Sequence, residues 1–275
     1  MLHWLVEDFA SDNSTSILIE EIKRQGYPCE VIRYIPFSGV NSHETRCANE
    51  TCVVVYGSIQ LCKRLQREQP HWMPGPMVTW NNYRCCVYYA YYGAYLFNSI
   101  YTMLPFAELI RRKEEFFERY DGAFFMRPDD GAKSFTGTLV QPRSLEGNSL
   151  IKLQCETTEE SLIVVAAPRL INREWRLVCS HTDVITGSRY KTNEMVDIRA
   201  ELPDEVKALG EKILKETTWR PDPVFTLDIC QARDELFLLE IGAFSYAGLY
   251  QCDFEKIVSQ VSAIAIKEFE DFNEH

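Results

Sequence analysis

One run of β-branched residues constrains the fold of this chain more than any other feature: CVVVYG, at Cys52–Gly57. A strand that is apolar at nearly every position is covered on both faces, as in a parallel sheet flanked by helices. Strand patterns also occur at His3–Asp8 and Glu30–Tyr34, and helical patterns at Ile17–Ile22 and Ser58–Arg67 alternate with them. This order of strand, helix, strand and helix predicts a small parallel α/β layer.

The second half of the chain changes character, with longer strand patterns and fewer helices. The apolar, tyrosine-rich segment Cys85–Ala107 predicts a buried helix that leads into a strand, and an amphipathic helix is expected at Ala107–Tyr120. From Gly122 onward, strand patterns fall at Ala123–Arg127, Phe135–Val140, Leu150–Gln154, Ser161–Ala167, Glu174–Ser180, Asp183–Lys191, Val224–Cys230 and Glu235–Ile241. Helices are expected at Pro203–Lys215 and Asp253–Glu270. The chain is therefore predicted to be mixed α/β (α+β).

Charge and cysteine usage narrow the classes of partner. The 275 residues carry 29 basic and 40 acidic side chains, a net charge of −11 that repels phosphate backbones, so we expect no nucleic-acid partner. Glu7 and Asp8 stand where a signal peptide needs an apolar core, and tyrosines crowd the first half of the longest uncharged stretch; neither secretion nor membrane insertion is predicted. The ten cysteines are scattered without a C-x-x-C pair, which favours reduced thiols in a cytoplasmic protein.

Several common catalytic motifs are absent from the sequence. It has no G-x-x-x-x-G-K-[ST] phosphate loop, no G-x-G-x-x-G after the first strand, no H-E-x-x-H and no G-x-S-x-G. Chemistry in this chain therefore has to be sought among the charged residues of its second half.

The first charged segment is RPDDGAKSFTG, at 127–137, in which Arg127 and Lys133 bracket a turn between two strands. Two cations and a flexible turn can fold over a polyphosphate, with backbone N–H groups as further donors. The same residues suit an ordinary polar hairpin in which Arg127 pairs with Asp129 or Asp130. An acidic metal loop is the weakest of the three interpretations, because such loops carry more oxygen ligands at alternate positions.

The second charged segment is a predicted hairpin that contains EWRLV and RYK. Alternation along a strand places Glu174 and Arg176 on one face, and Arg189 and Lys191 on one face of the partner strand. Four charges that converge across a hairpin form either a ladder of cross-strand ion pairs or a surface that faces a polar ligand.

The third charged feature is a pair of carboxylates, Asp228 and Glu240, each of which interrupts an otherwise apolar strand. A carboxylate buried in such a strand costs several kcal/mol, on the order estimated for isolated charges, unless it is paired or binds a cation. Two neighbouring carboxylates repel each other, and Mg²⁺ relieves that repulsion with hard-oxygen coordination. The alternative is that both carboxylates reach the surface or pair with Arg127 or Arg176.

In this order, RPDDGAKSFTG, EWRLV, RYK, LDI and LEIGAFSYAGLY resemble the ATP-grasp ligases, and most closely the small clade named for an arginine and two lysines. The resemblance covers most of the chain. It implies a small N-terminal parallel α/β domain at 1–104, followed at 105–275 by an ATP-grasp domain. That domain would consist of two α+β lobes, near 105–167 and 168–275, with the nucleotide between them.

The resemblance also implies which residues bind the nucleotide. Arg127 takes the position of the first cation that contacts it, and Lys133 lies in the flexible phosphate loop. The strand before Pro168 would be the hinge whose backbone pairs with adenine, at Val164, Val165 and Ala166. Glu174 completes the set of nucleotide-binding candidates.

The remaining implied roles concern the reaction. Arg176 and Lys191 would face the transferring phosphate or the acyl substrate, and Asp228 and Glu240 would hold Mg²⁺. Two residues after the metal-binding glutamate the family usually has Asn, whereas this chain has Gly242. Either Ser245 or a water then replaces the third metal contact, or activity is reduced.

The implied function is an ATP- and Mg²⁺-dependent ligase that joins a carboxylate to an amine through an acylphosphate and releases ADP and phosphate. Its substrates would be small molecules or peptides. The alternative is a degenerate ATP-grasp protein that binds nucleotide or a partner without turnover. A third interpretation, an interaction scaffold in which every charged pair is structural, also stays open.

Overall fold

A computed structural model describes residues 1–8, 13–33, 47, 51–132, 134–147 and 157–274 of the protein. The mixed α/β class expected from the sequence is confirmed over these residues. The chain divides into two compact units. The first comprises Met1–Thr79, Arg173–Ile229 and Glu240–His275, and the second comprises Trp80–Asn172 and Cys230–Leu239. The domain boundary expected at residues 104 and 105 stays a prediction.

The N-terminal residues of the first unit form the predicted parallel layer. Its strands and helices, in chain order, are β1 (His3–Glu7), α1 (Asn13–Arg24), β2 (Cys29–Ile32), β3 (Cys52–Tyr56), α2 (Ile59–Glu68) and β4 (Met73–Gly75). The strands lie in the order β2-β1-β3-β4, and every neighbouring pair is parallel. All five residues of β3 are buried, as the CVVVY run predicts.

The described residues of the second unit contain a smaller, four-stranded sheet and short α-helices. These elements are α3 (Cys85–Tyr92), β5 (Tyr101–Pro105), α4 (Phe106–Arg111), α5 (Lys113–Arg119), β6 (Phe124–Pro128), β7 (Thr138–Val140) and β8 (Leu162–Ala166). The sheet order is β5-β8-β6-β7, with antiparallel neighbours. The single helix expected at Ala107–Tyr120 is two helices that meet at Arg112. The strand expected at Leu150–Gln154 lies outside the described residues.

The remaining elements are β9 (Arg173–Ser180), β10 (Val184–Thr192), β11 (Met195–Arg199), α6 (Asp204–Glu216), β12 (Val224–Ala232), β13 (Glu235–Ala243) and α7 (Phe254–Asn273). The strands form a five-stranded sheet in the order β11-β10-β9-β12-β13. The sequence pattern does not predict edge strand β11, because most of its side chains are exposed and it carries no buried alternation.

One apolar cluster joins the two sheets of the first unit. It contains Trp4 and Val54 of the parallel sheet, Val178 of β9, Phe244 after β13 and Ile257 of α7. The long closing helix thus packs on residues that are far apart in sequence, which fixes the five-stranded sheet beside the N-terminal layer. Among the described residues, no helix is both long enough and apolar enough to cross a membrane.

Candidate functional site

The charged residues of β9 and β12 form a buried ion pair. The Arg176 guanidinium donates to both carboxylate oxygens of Asp228, with Nε–Oδ1 at 2.8 Å and Nη2–Oδ2 at 2.7 Å. The two side chains are 11% and 2% exposed. A third donor, Nη1, reaches the Gly248 carbonyl at 3.2 Å. Burial by itself lowers the pKa of Arg176, but the Asp228 carboxylate outweighs it and keeps that pKa well above its usual range.

A β-bulge in β10 places Tyr190 beside this pair. The register between β9 and β10 shifts between Arg189 and Lys191, so that Tyr190 is the extra residue. Its hydroxyl donates to Glu174 Oε2 at 2.6 Å and lies 3.4 Å from Asp228 Oδ2. Lys191 Nζ lies 3.4 Å from the other oxygen of Glu174. The sheet therefore brings Glu174, Arg176, Lys191 and Asp228 together, with Tyr190 among them.

The expectation that Arg189 and Lys191 share a face is wrong. Arg189 pairs with Trp175, whereas Lys191 pairs with Glu174, and neighbouring residues of a strand point to opposite faces. The buried Arg189 guanidinium contacts Asp197 at 3.2 Å and Glu201 at 3.1 Å. The bulge interrupts the simple alternation of β10. Arg189 therefore points away from Lys191 and binds β11 and the residues after it.

Two tyrosine rings cover the ion pair. Tyr190 and Tyr250 stack with centroids 5.0 Å apart and an interplanar angle of 8°. The Arg176 guanidinium carbon lies 5.5 Å and 5.3 Å from the two ring centroids, within cation–π range. Burial and then the carboxylates of Asp228 and Glu174 raise the pKa of Tyr190 well above its usual range. Tyr190 is therefore a hydrogen-bond donor to these carboxylates.

Asp228 and Glu240 lie near each other on neighbouring strands. The Thr226 hydroxyl donates to the Gly242 carbonyl at 3.2 Å, which places these two residues side by side on β12 and β13. Asp228 and Glu240 are each two residues away from this pair along their strands, so alternation puts both on the face of Thr226. Asp228 is 1% exposed and Glu240 is half-buried.

These two carboxylates fit Mg²⁺ that shares its coordination with a nucleotide. Within the described ranges, no group of three or more His, Cys, Asp or Glu side chains could hold a metal ion. Mg²⁺ commonly takes only one or two carboxylates and completes its shell with phosphate oxygens and water. Each carboxylate oxygen has two lone pairs, so Asp228 keeps acceptor capacity beside Arg176. The carboxylate oxygens of Asp228 and Glu240 are thus suitable ligands for a Mg²⁺ ion that is also coordinated by the phosphates of a nucleotide.

Gly242 and Ser245 have structural roles in this unit. A Cβ at Gly242 would lie 2.7 Å from Thr226 Oγ1, so an asparagine there would require Thr226 to move. The fully buried Ser245 accepts the Met77 N–H at 2.8 Å with its hydroxyl, and its carbonyl accepts the Gly57 N–H at 2.7 Å. Ser245 therefore anchors the segment after β13 to the parallel sheet.

In the second unit, the segment that begins at Arg127 lies at the end of strand β6. Arg127 pairs with Val164 in the sheet, and its Nη1 lies 3.5 Å from the Leu239 carbonyl. Lys133, the other cation of this segment, lies outside the described residues. At Gly131 a Cβ would lie 2.5 Å from Tyr83 Cβ, so only glycine allows this close approach.

The two aspartates of this segment have separate structural partners. Asp129 is 3% exposed, and its carboxylate accepts from the Cys86 N–H at 2.7 Å and from Arg84 Nε at 2.8 Å. It therefore caps the N-terminus of α3, where an anion is stabilising. Asp130 accepts from the Ser134 hydroxyl at 2.6 Å and closes the turn.

The three residues expected to pair with adenine lie in the interior of a sheet. Val164, Val165 and Ala166 pair with β5 on one side and with β6 on the other. Their backbone groups therefore belong to the two ladders. Ala167 is the first residue after the strand, and it is exposed.

Sequence reasoning missed the two tyrosines of the site. Tyr190 stands between two cations in RYK, and strict alternation turns it to the opposite face, away from the charged residues. Tyr250 has a positive φ of 52°, which is rare for a bulky residue and marks a backbone held by its surroundings. Tyr250 is the last residue of the segment LEIGAFSYAGLY, and its place in that segment is the sequence signal that could have identified it as a site residue.

Comparisons with known proteins agree on one family. The model of the ATP-grasp domain, family 2 of the R-two-K clade, matches residues 109–259. Among solved structures, D-cycloserine synthetase DcsG has a TM-score of 0.65 at 14% identity, over 96% of this chain and all of that one. The D-alanine–D-alanine ligase of Bacillus anthracis has a TM-score of 0.57 at 12% identity, over 99% and 98% of the two chains.

A third structure with this fold is the ATP-grasp ligase PsnB with its minimal precursor. Its TM-score is 0.55 at 16% identity, over 96% of this chain and 98% of that one. The TM-scores show that these proteins share the fold of this chain, and at such low identities the likeness shows the fold alone. No curated protein sequence matches the chain. The predicted resemblance to ATP-grasp proteins is confirmed by the family match.

Proposed function

Because the chain belongs to the ATP-grasp domain family, in family 2 of the R-two-K clade, we propose that it is an ATP- and Mg²⁺-dependent carboxylate–amine ligase. The carboxylate of one substrate attacks the γ-phosphate of ATP, which gives an acylphosphate and ADP. The amine of a second substrate then displaces phosphate and forms an amide. The names of proteins with the same fold, a D-alanine–D-alanine ligase and a ligase solved with Mg and ADP, support this chemistry.

The observation that carries the proposal is the cluster of Glu174, Arg176, Tyr190, Asp228 and Glu240 on one face of the five-stranded sheet. Three carboxylates gathered in a largely buried region are costly unless cations accompany them. Arg176 and Lys191 supply two positive charges. Mg²⁺ bound with a nucleotide would add positive charge to the same cluster, which is what an ATP-dependent site requires.

Asp228 and Glu240 would hold the Mg²⁺, and the metal would supply charge neutralisation for the phosphates of the nucleotide. Arg176 and Lys191 orient the reacting groups with charge-assisted hydrogen bonds. Tyr190 donates to Glu174 and Asp228 and thereby fixes both carboxylates. Positioning and charge stabilisation suffice for phosphoryl transfer, so no nucleophilic side chain is needed.

On the nucleotide side, Arg127 and Lys133 are proposed to contact the phosphates. Glu174 is retained among the nucleotide-binding residues, with Tyr190 and Lys191 as its protein partners. We place the adenine contact from Ala167 onward, because the ladders of β5 and β6 occupy the backbones of 164–166. The proposed substrates are small-molecule or peptide carboxylates and amines. The free thiols of every described cysteine support a reducing, cytoplasmic location.

The test is Mg²⁺-dependent release of ADP on a panel of carboxylates paired with amines. Glu240→Gln should reduce turnover by at least about a hundredfold, on the scale of losing one electrostatic contact at the reacting phosphate. Glu235→Gln is the matched control, since Glu235 is exposed on the same strand. Wild-type rates in Glu240→Gln would contradict the metal assignment.

The second candidate is a degenerate ATP-grasp protein that binds nucleotide without turnover. Two observations favour it: Thr226 occupies the space beside Gly242, and both oxygens of Asp228 are already bound by Arg176. ATP that raises the melting temperature without ADP release on any pair would establish this candidate. If ATP does not bind at all, the third interpretation remains, in which the protein is an interaction scaffold and its charged pairs are structural.

A further inference from the structure

Strand β10 has an outer edge that is only partly covered. Strand β11 pairs with it between Arg189 and Thr192. The preceding segment, residues 184–187, pairs with β9 on one side, and in the part of the chain that the structure describes no strand pairs with its other side. The backbone N–H and C=O groups of such an edge are a template for another extended chain.

A cavity of about 420 Å³ lies along this uncovered edge, and we call it the edge groove. Residues 184–187 line it together with Ala200 and Leu202, which follow β11. Its volume falls within the range of ligand sites, about 300–1,000 Å³. All of its lining residues belong to the first compact unit. Because residues 184–187 are buried, their outward backbone groups have to find partners in the groove, either water or a ligand.

Two lysines line the edge groove, one from each of the helices that border it. Lys207 belongs to α6 and Lys256 to α7. The two helices cover opposite faces of the sheet: Leu177 of β9 packs against Gly210 of α6, whereas its neighbour Val178 belongs to the apolar cluster that contains residues of α7. The lysines therefore flank the edge of β10 from both sides.

The lining of the groove is positive in a strongly acidic protein. Its two lysines are accompanied by one carboxylate, that of Asp253, whereas the whole chain has a net charge of −11. Each lysine has an ion-pair partner at 3.3 Å, Glu211 for Lys207 and Asp253 for Lys256. Both pairs are exposed and hence weak, so the ammonium groups are available to an anionic ligand.

The third border of the groove, at residues 251–253, is held in place by hydrogen bonds. The Gln251 side-chain oxygen accepts the Ala200 N–H at 2.9 Å, and the Gln251 N–H donates to Ser188 Oγ at 3.2 Å. The Asp253 N–H donates to Thr186 Oγ1 at 3.0 Å. The groove is thus formed before any ligand arrives, which lowers the cost of ordering it on binding.

We propose that the edge groove binds the C-terminal end of an extended peptide, which adds a short strand to the outer edge of β10 and places its terminal carboxylate between Lys207 and Lys256. In strand addition, backbone hydrogen bonds give affinity and side-chain pockets give specificity. Val184, Ile185 and Leu202 line the groove and favour aliphatic side chains. The uncovered edge is about 13 Å long, at about 3.3 Å per residue, which a tetrapeptide spans.

This inference goes beyond the proposed ligase function and does not require it. The competing explanation is that the groove holds only water and that its lysines are ordinary solvated side chains. A variant with both Lys207→Met and Lys256→Met separates the two, because it removes the charges and keeps the unbranched stems. Lys212→Met is the matched control, since Lys212 is exposed on α6 and does not line the groove.

A second variant tests the groove itself instead of its charge. Ala200→Trp places a large side chain in the groove, and because Ala200 is exposed the core is not disturbed. Melting temperatures close to that of the wild type will show that the variants fold. Lys207, Lys256 and Ala200 lie outside the proposed nucleotide and metal site, so these changes should leave ADP release unaltered.

The experiment measures fluorescence anisotropy of N-terminally labelled tetrapeptides, Gly-Ala-Val-Leu, Gly-Ala-Leu-Val and Gly-Ala-Val-Ile, with the 275-residue chain. Each peptide is compared with its C-terminal amide, which lacks the carboxylate. We expect at least one free acid to bind the wild type and Lys212→Met equally. Its amide, and the double lysine variant, should each bind at least about tenfold more weakly, the loss of a charge-assisted contact. Ala200→Trp should abolish binding.

Failure of every peptide to bind the wild type, or equal binding of acid and amide, overturns the proposal. Wild-type affinity in the double lysine variant or in Ala200→Trp overturns it as well. If the double variant does not fold, the two single lysine variants are judged by the same criterion. ATP with Mg²⁺ should not displace the peptide; full displacement, together with loss of binding in Glu240→Gln, would place the peptide in the ligase site and overturn the assignment to the edge groove.

Discussion

The geometry of the buried pair of Arg176 and Asp228 allows us to estimate how much free energy of unfolding is lost when the pair is broken. Asp228→Asn removes one charge from a bidentate contact with distances of 2.8 and 2.7 Å, at side-chain exposures of 11% and 2%. The guanidinium then stays buried with only a neutral amide, the Gly248 carbonyl and two tyrosine rings around it. Breaking a buried pair from one side costs about 3–5 kcal/mol. Because asparagine keeps one acceptor, we expect a loss at the lower end, about 3 kcal/mol.

A double-mutant cycle isolates the pair from the loss of packing. Arg176→Met and Asp228→Leu should each destabilise the protein by roughly 3–5 kcal/mol, since each leaves a buried charge alone. The double variant removes both charges and should recover most of that loss, which gives a coupling energy of about 3 kcal/mol or more. Urea unfolding followed by tryptophan fluorescence measures this, with Trp175 beside Arg176 as a local probe.

The exposed pair of Lys207 and Glu211 provides the control. Its atoms are 3.3 Å apart at exposures of 46% and 52%, so Glu211→Gln should change stability by less than about 0.5 kcal/mol. Additive single variants, or an Asp228→Asn protein as stable as Glu211→Gln, would refute the reasoning. Either result would mean that water reaches the pair and screens it as it screens a surface contact.

Three further predictions concern packing, the tyrosine bulge and pH. Gly131→Ala should cost about 1–3 kcal/mol by overpacking against Tyr83, whereas Gly93→Ala, with open space and helical backbone, should not destabilise; equal melting temperatures would contradict this. Tyr190→Phe should cost about 1–3 kcal/mol in urea unfolding, because a buried carboxylate loses its 2.6 Å donor; an unchanged midpoint would count against it. Burial raises the pKa of the Cys62 thiol from 9.0 to about 12, so the folded protein keeps a proton that the unfolded chain loses. The contribution of Cys62 to the free energy of unfolding is fully present below pH 9 and falls by about 1.4 kcal/mol per pH unit as the pH rises towards 12. Cys62→Ala should therefore reduce the slope of stability against pH in this range, and parallel curves for the two proteins would exclude this cause.

Much of the fold could be predicted because it follows from local patterns. The uninterrupted apolar run of β3 predicts a strand buried on both faces, and the alternation of strands and helices before residue 80 predicts parallel pairing. The positions of β9, β10, β12 and β13 follow from runs of apolar residues between turns. These features depend on neighbours in sequence, which is why they can be read without the tertiary structure.

The errors share a different cause, because each depends on a contact that is distant in sequence. Strand β11 forms because Arg189 binds Asp197 and Glu201, and no apolar pattern predicts that attraction. The sequence around Asp129 predicts a turn residue, yet its partners are Arg84 and the first turn of α3, more than forty positions earlier. The sequence shows the charges, and only the fold shows their pairing.

The bulge at Tyr190 shows how one residue changes the interpretation of a whole hairpin. Without it, Arg189 would join Lys191 on the face of Arg176, and that face would carry three cations. With it, Arg189 is turned away and a tyrosine hydroxyl takes its place between two carboxylates. That exchange puts a neutral donor on this face where strict alternation would put a third cation. The salt bridge and the proposed metal site, which the sequence posed as alternatives, are compatible, because each oxygen of Asp228 has a second lone pair beside its bond to Arg176. Asp228→Asn should accordingly lower stability, whereas Glu240→Gln should act mainly on the Mg²⁺ dependence of ADP release.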